Sequence, residues 1–138
     1  MEKYCTSLLC TIFLMSCMGF SQTAPEKAAG DSANKWLALV DAGHYATSWD
    51  EAAQVFKNAV SKEQWADTLK ASRAPLGKMK SRQLKSATYQ TSLPGAPDGQ
   101  YVVIQYESSF EHKTSAVETV TPMMDKDGYW RVSGYFIR

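Results

Sequence analysis

The residues best suited to acid–base chemistry lie together in one short stretch, residues 41–50, which reads DAGHYATSWD. His44 stands between two aspartates, Asp41 and Asp50, and a histidine paired with a carboxylate can serve as a general acid or base. The same histidine follows Gly43, which ends a predicted helix, and a helix C-terminus stabilises a cation. The sequence therefore leaves two interpretations of His44, a catalytic group and a helix-terminal residue.

Outside residues 41–50, the sequence offers few candidates for a catalytic or metal-binding site. His112 lies in a predicted turn beside Glu111 and Lys113, where a solvated side chain is the simpler interpretation. Two distant histidines without a neighbouring cysteine do not resemble a zinc site, and the usual hydrolase and nucleotide-binding motifs are absent. We therefore expect no metal and no cofactor.

A block of basic residues stands out against a nearly balanced chain. The whole protein has a net charge of +1, but residues 70–85, KASRAPLGKMKSRQLK, contain six basic side chains and no acidic one. One interpretation is an anion-binding site, and the other is a sheet edge that lysines protect from pairing with another sheet. Nucleic acid is not an expected partner, because the remaining sequence is close to neutral. The anion-binding candidates are Lys70, Arg73, Lys78, Lys80 and Arg82.

The four tryptophans have two interpretations. Trp36, Trp49 and Trp65 fall on apolar stripes of predicted helices, and Trp130 lies in a predicted strand, so core packing explains all four. Large rings between two layers can also leave a cleft that binds a ligand. The residues predicted to line such a cleft are Trp36, Tyr45, Trp49, Tyr106 and Trp130.

Three helices are predicted to precede the strands. The first spans Ala33–Ala42 after a capping Ser32. The spacing S-x-x-E at Ser48–Glu51 and S-x-x-Q at Ser61–Gln64 predicts capping boxes for the second and third helices. Pro75 and Gly77 end the third helix.

After Lys78 the apolar period changes from 3.6 to 2, which predicts strands. Short turns between them force an antiparallel meander. The predicted fold is α+β, with three helices packed on one face of a curled four-stranded antiparallel sheet. The four strands are Ser81–Leu93, Gln100–Phe110, Ser115–Met124 and Tyr129–Ile137.

The register follows if the last turn, Asp125–Gly128, has four residues. Met123 then faces Trp130 and Val117 faces Phe136, on the same side of the sheet as Val102, Ile104 and Tyr106. Gly134 within the last strand predicts a bulge or a sharp bend. The opposite face mixes tyrosines, aliphatics and charges, which is typical either of a homodimer interface or of a solvated sheet. Its interface candidates are Tyr101, Val103, Tyr129, Arg131, Tyr135 and Ile137.

The N-terminal segment resembles a secretory signal peptide, because the mainly apolar, uncharged run Tyr4–Phe20 is followed by small residues. We predict cleavage between Ser21 and Gln22, while LMSC at Leu14–Cys17 resembles a lipobox that would anchor the protein through Cys17. All three cysteines lie in this segment, so no disulfide is expected in the mature chain. The predicted organisation is a signal peptide (1–21), a flexible leader (22–32) and one domain (33–138), without a transmembrane segment after processing.

Several long stretches resemble a known family. WLALVDAGHYATSWDEAAQVFKNAVSKEQW, LPGAPDGQYVVIQYESSFEHKTSAVETVTPM and GYWRVSGYFIR are similar to the bacterial domain of unknown function family 4019, from about Trp36 to Arg138. The resemblance implies an exported protein of a Gram-negative envelope and supplies no activity. The topology is also similar to the cone-shaped nuclear-transport-factor-2-like and cystatin-like folds, which host enzymes and binding modules alike.

The resulting expectation is a periplasmic binding module without catalytic activity, whose partner is a small ligand or another envelope protein. The alternative from another class is a small cavity enzyme that uses His44 with Asp41 or Asp50.

Overall fold

A computed structural model describes residues 21–138. The predicted signal peptide up to Phe20, including the lipobox residue Cys17, lies outside the described residues. Within them, helices precede strands. The elements are α1 (Ala24–Asp41), α2 (Tyr45–Asp50), α3 (Gln54–Ala59), α4 (Lys62–Arg73), a 3₁₀ helix (Ala74–Leu76), β1 (Met79–Gln90), β2 (Tyr101–Phe110), β3 (Lys113–Met124) and β4 (Trp130–Ile137).

The first helix is longer than its sequence pattern indicated. It begins at Ala24 rather than Ala33, so most of the segment predicted as a flexible leader is helical. The Glu26 carboxylate accepts a hydrogen bond of 2.9 Å from the Thr23 backbone N–H, which satisfies one of the free donors at this helix end. Ala29 is fully buried and extends the apolar stripe of α1 by one turn towards the N-terminus.

The second predicted helix is divided in two, which gives four α-helices rather than three. The chain bends between Asp50 and Gln54, and there the backbone N–H of Ala53 donates to the carbonyl oxygen of Val132 at 2.8 Å. Ser48 does not cap a helix, because it is fully buried inside α2. The division therefore lets the helical layer hydrogen-bond to β4.

The helix α4 begins and ends as predicted. Ser61 and Gln64 form the capping box, with side-chain to backbone hydrogen bonds of 3.2 and 3.3 Å. The chain leaves α4 through the 3₁₀ helix that contains Pro75 and then turns at Gly77, whose φ is +72°. A Cβ at Gly77 would lie 2.8 Å from the Cβ of Glu111, so only glycine fits the turn that leads into β1.

The sheet is a four-stranded antiparallel meander of order β1-β2-β3-β4, as predicted. It remains open, with β1 and β4 at its edges. The helices pack on one face, so the coarse α+β prediction is confirmed. No helix among residues 21–138 has the length and apolar character needed to cross a bilayer.

The register of β3 differs from the prediction by one residue. Met124 faces Trp130 and Pro122 faces Val132, because the turn before β4 has five residues instead of four. The residues of β2 point to the helices as predicted, and Val102, Ile104 and Tyr106 are buried there. In β3, however, the even-numbered side chains face the helices, because a register shift between Ser108 and Phe110 displaces the pairing of β2 with β3 by one residue. These side chains are Ala116, Glu118, Val120 and Pro122.

A bulge in β4 adds a second change. Thr121 faces Gly134 while Pro122 faces Val132, so the bulge predicted at Gly134 is confirmed, with Ser133 as the extra residue. After the bulge, odd-numbered side chains of β4 face the helices and even-numbered side chains face outward. Tyr135 turns towards the helices, and Phe136 turns outward with 55% of its surface exposed.

The core lies between α1, α4 and the sheet. Trp36 packs against Trp65 and Tyr135, with ring centroids 6.1 and 5.3 Å apart, and Phe56 meets Trp65 edge to face at 4.7 Å. These contacts bury the aromatic stripes that the sequence predicted for the helices, and so fix α1 against β4.

Candidate functional site

Two arginines and two carboxylates meet where α1 and α4 end above the sheet. We call Asp41, Arg73, Arg82 and Glu118 the arginine–carboxylate cluster. The Arg82 guanidinium donates to Asp41 at 2.8 and 3.0 Å and to Glu118 at 2.7 and 3.0 Å. The Arg73 guanidinium donates to Asp41 at 2.8 Å. The two positive and two negative charges thus neutralise one another.

Glu118 is fully buried, and neutral donors complete its coordination. The Ser108 hydroxyl donates to one carboxylate oxygen at 2.5 Å, and the Tyr135 hydroxyl donates a short hydrogen bond to the other. Tyr135 also accepts a hydrogen bond of 3.1 Å from Arg73. A buried carboxylate is tolerated only when it is paired and hydrogen-bonded in this way.

The environment of the cluster moves several pKa values. Burial would raise the pKa of Asp41, but hydrogen bonds from Arg82 and Arg73 outweigh it and hold the pKa below its usual value. Burial would lower the pKa of Arg82, and the bonds to Asp41 and Glu118 raise it instead. Burial and the neighbouring Glu118 charge raise the pKa of Tyr135. All three groups therefore keep their ordinary charge state at neutral pH, and Tyr135 remains a donor.

The predicted anion-binding set is divided by this arrangement. Arg73 and Arg82 point inward to carboxylates, and Arg73 also lies 4.8 Å from the Phe110 ring. Lys70, Lys78 and Lys80 are exposed. The five residues do not converge on one anion site in the described residues.

His44 lies at the start of α2, and its side chain is exposed. Neither neighbouring aspartate pairs with it in the described chain. Asp41 binds the two arginines, and Asp50 binds Lys62 at 2.6 Å. The three residues are therefore close in sequence, but both aspartates are engaged by cations and form no acid–base pair with His44 in the described chain.

The predicted aromatic cleft residues also separate. Trp36 is buried, and Tyr106 is buried with its hydroxyl donating to Asn34 at 3.1 Å. Tyr45 and Trp49 pack against the edge of the core. Only Trp36 and Trp130 line the same opening.

That opening is a groove of about 610 Å³ between α1, α2 and the start of β4. We call it the Trp130 groove. Its wall from α1 includes Ser32, whose hydroxyl donates to the carbonyl oxygen of Trp130 at 2.7 Å and holds the start of β4 in place. Its other lining residues include Lys35, Trp36, Leu39, Glu51, Tyr129 and Arg131.

An exposed ring forms the rim of the Trp130 groove. Tyr129 keeps 67% of its surface exposed, and the Arg131 guanidinium lies 5.5 Å from its ring centroid. Arg131 in turn donates two hydrogen bonds to Asp127, of 2.7 and 2.8 Å, and one to Asp125. The Arg131 hydrogen bonds lower the pKa of Asp127, so the pair stays charged and keeps the guanidinium beside the tyrosine.

The indole N–H groups distinguish Trp130 from the other tryptophans. Trp36 donates to the Ser48 carbonyl at 2.8 Å, and Trp65 donates to the Ser48 hydroxyl at 3.0 Å. Trp49 donates to the Val60 carbonyl at 2.8 Å. Trp130 is half-buried, and its indole N–H has no hydrogen-bond partner among residues 21–138. Sequence reasoning placed Trp130 in a site but had no means to single it out.

The predicted sheet interface is spread over both faces. Val103 and Arg131 lie on the outer face, but Tyr101 is buried and donates to the Pro97 carbonyl in the preceding loop at 2.6 Å. Tyr135 and Ile137 follow the bulge onto the helix side, facing Val120 and Glu118. Tyr129 stands in the turn at the rim of the Trp130 groove. The six residues therefore do not form one surface.

Sequence reasoning missed Glu118, Ser108 and Tyr135 as members of one buried network. The available signal was the choice of arginine within the basic block. Arginine is preferred over lysine in buried two-pronged ion pairs, and Arg73 and Arg82 are the two arginines of that block. Within residues 21–138, no group of three or more histidine, cysteine, aspartate or glutamate side chains has a geometry that could hold a metal ion.

The fold and the site define a small α+β domain in which a neutral arginine–carboxylate cluster fixes the helices and an aromatic groove opens beside it. Residues 32–135 match the family described as protein of unknown function (DUF4019), and the chain belongs to that family, as its sequence motifs predicted. No match was found among curated proteins.

Proposed function

We propose that this protein is a binding module without catalytic activity and that the Trp130 groove is its binding site. The observation that carries the proposal is the uncommitted indole N–H of Trp130 next to the exposed ring of Tyr129. Half-buried aromatic rings with a free polar edge are common in ligand sites, because one part packs on the ligand and the other orients it.

The lining residues indicate the kind of ligand. Tyr129 offers a ring face for stacking, and Trp130 offers a hydrogen-bond donor. Lys35 adds a cation and Glu51 adds a carboxylate, and neither makes an ion pair among the described residues. A small ligand that combines a flat ring with a carboxylate or another hydrogen-bond acceptor can stack on Tyr129 and accept from Trp130. A carboxylate of this ligand can also pair with Lys35.

The state of the acid–base candidates supports binding over catalysis. Asp41 and Asp50 are engaged by cations, and His44 is exposed outside the lining of the Trp130 groove. The buried Glu118 and Tyr135 already have partners for their polar atoms. None of these groups is free to exchange a proton with a molecule in the groove.

The proposal also includes where the protein resides and which fold family it resembles. The apolar N-terminal segment supports export to the periplasm, with cleavage at Ser21–Gln22 or anchoring through Cys17 as the two routes. The likeness to the cone-shaped folds stays a prediction.

The test is a titration of the ¹⁵N-labelled protein, purified as the cell processes it, with benzoate and with benzylammonium. These probes share a ring and differ in the sign of their charge. We expect benzoate to shift the Trp130 indole signal and benzylammonium to have a much smaller effect, because the indole N–H can donate to a carboxylate but has nothing to offer an ammonium group.

The Tyr129→Ala variant should remove the benzoate response, and its exposed position spares the fold. Tyr89→Ala is the matched control, since Tyr89 is also exposed but lies on β1. The proposal is wrong if neither probe shifts Trp130, or if Tyr129→Ala responds like the control.

A further inference from the structure

A second groove, of about 890 Å³, lies on the other side of the turn that precedes β4. One wall comes from the end of α2 and from α3, and the other comes from the loop before β2. Val55, Met123 and Met124 are half-buried along it and give it an apolar floor. We call it the methionine groove. Methionine side chains adapt to different apolar shapes and are common on surfaces that bind peptide segments.

The charges around the methionine groove are unequal. Five carboxylates and three cations line it, so negative charge is in excess. Two of the three cations are engaged by the protein itself, and the third, Lys126, is exposed and makes no ion pair among the described residues. Arg131 binds Asp127 and Asp125, and the Lys57 ammonium donates to the backbone carbonyl of Asp50 at 3.1 Å.

Two carboxylates remain open to a partner. Glu51 on the helical wall and Asp98 on the loop wall are both exposed, and neither makes an ion pair among the described residues. The apolar floor lies between these walls. A partner that places an apolar side chain on the floor and a cation at each wall would be complementary in both respects.

We propose that the methionine groove binds a cationic, apolar peptide segment of another protein. Leucine-like side chains pack on Met123 and Met124, and lysine or arginine side chains pair with Glu51 and Asp98. This surface is distinct from the Trp130 groove, which shares only Glu51 and Arg131 with it. The inference therefore goes beyond the proposed function and does not need Tyr129 or Trp130.

The test uses the ¹⁵N-labelled protein and two capped pentapeptides, Lys-Leu-Leu-Leu-Lys and Glu-Leu-Leu-Leu-Glu. We expect the lysine peptide to shift the backbone amide signals of Val55, Met124 and Asp98, and the glutamate peptide to leave them in place. In Glu51→Gln/Asp98→Asn the affinity for the lysine peptide should fall about tenfold or more at low salt, since one exposed ion pair contributes up to about fivefold.

Asp67→Asn is the matched control, because Asp67 is an exposed carboxylate on α4 and does not line the groove. Tyr129→Ala should keep its affinity for the lysine peptide, which separates this surface from the Trp130 groove. Equal binding of both peptides, no binding of either, shifts elsewhere, or an unchanged double variant would each overturn the proposal. Light scattering tests whether a second copy of this chain occupies the groove instead. Self-association that Glu51→Gln/Asp98→Asn abolishes would assign the groove to that second copy and overturn the peptide proposal.

Discussion

The Arg82 guanidinium donates two hydrogen bonds to the Asp41 carboxylate and thereby ties the C-terminal end of α1 to β1. The same guanidinium reaches Glu118 in β3, so one side chain joins a helix to two strands. α1 also lines the Trp130 groove with Ser32 and Lys35. The cluster therefore positions the wall of the groove without being part of it.

Replacing Arg82 by lysine tests the geometry of the cluster. A single ammonium cannot bind Asp41 and Glu118 in the two-pronged manner of a guanidinium, so the buried Glu118 loses charged hydrogen bonds that Ser108 and Tyr135 do not replace. We expect Arg82→Lys to lower the free energy of unfolding by about 3 kcal/mol in urea titrations. Lys80→Ala, at an exposed neighbour in β1, should change it by less than about 0.5 kcal/mol. Equal effects of the two substitutions would contradict the arrangement.

The pH dependence of stability should report Asp41. Its pKa is lower in the folded protein than its usual value of 3.8, so its stabilising effect is complete above that value and is lost as the pH falls below it. We expect the difference in unfolding free energy between the wild type and Asp41→Asn to be constant at neutral pH. It should shrink in acid as Asp41 becomes protonated. A difference that is the same in acid and at neutral pH would contradict the low pKa.

Ser48→Ala should weaken the contact between α2 and the core. The Ser48 hydroxyl accepts the Trp65 indole N–H, and without it that buried donor has no partner. We expect a loss of about 1–3 kcal/mol in thermal or urea unfolding. Ser72→Ala is the control, because the exposed Ser72 hydroxyl donates only to its own helix. A Ser48→Ala protein as stable as the control would argue against the Trp65 hydrogen bond.

Adjacent residues of β4 should respond in opposite ways, because the bulge turns Tyr135 inward and Phe136 outward. Tyr135→Phe removes the donor to Glu118 and should cost about 1–3 kcal/mol of unfolding free energy. Phe136→Ala should cost less than about 0.5 kcal/mol, since its ring is mostly exposed. A larger loss for Phe136→Ala than for Tyr135→Phe would contradict this register and support the one that a four-residue turn predicts.

Local signals in the sequence were sufficient for much of the fold. The capping box at Ser61 and Gln64, the helix stop at Pro75 and Gly77, and the antiparallel order of the strands follow from neighbouring residues, and the structure agrees with them. The break after α2 was not predictable in this way. It depends on Ala53 donating to Val132, a residue far along the chain.

The register of β3 could not be obtained from apolar alternation. Glu118 looks like an outward residue, and its burial becomes favourable only because Arg73 and Arg82 arrive from two other elements. The extra residue of the turn is likewise set by its own hydrogen bonds, with the Asp125 N–H donating to the Tyr129 carbonyl at 2.9 Å. The face that sequence periodicity assigned incorrectly to β3 therefore depends both on long-range ion pairs and on the hydrogen bonds of this turn.

The accessibility of the Trp130 indole N–H is a direct test of the proposed binding site and needs no ligand. Exchange of the four indole protons with solvent can be compared by NMR in the free protein. We expect the Trp130 proton to exchange fastest, while the protons of Trp36, Trp49 and Trp65 are protected by their hydrogen bonds. A Trp130 proton as protected as the other three would remove the donor on which the proposed binding site depends.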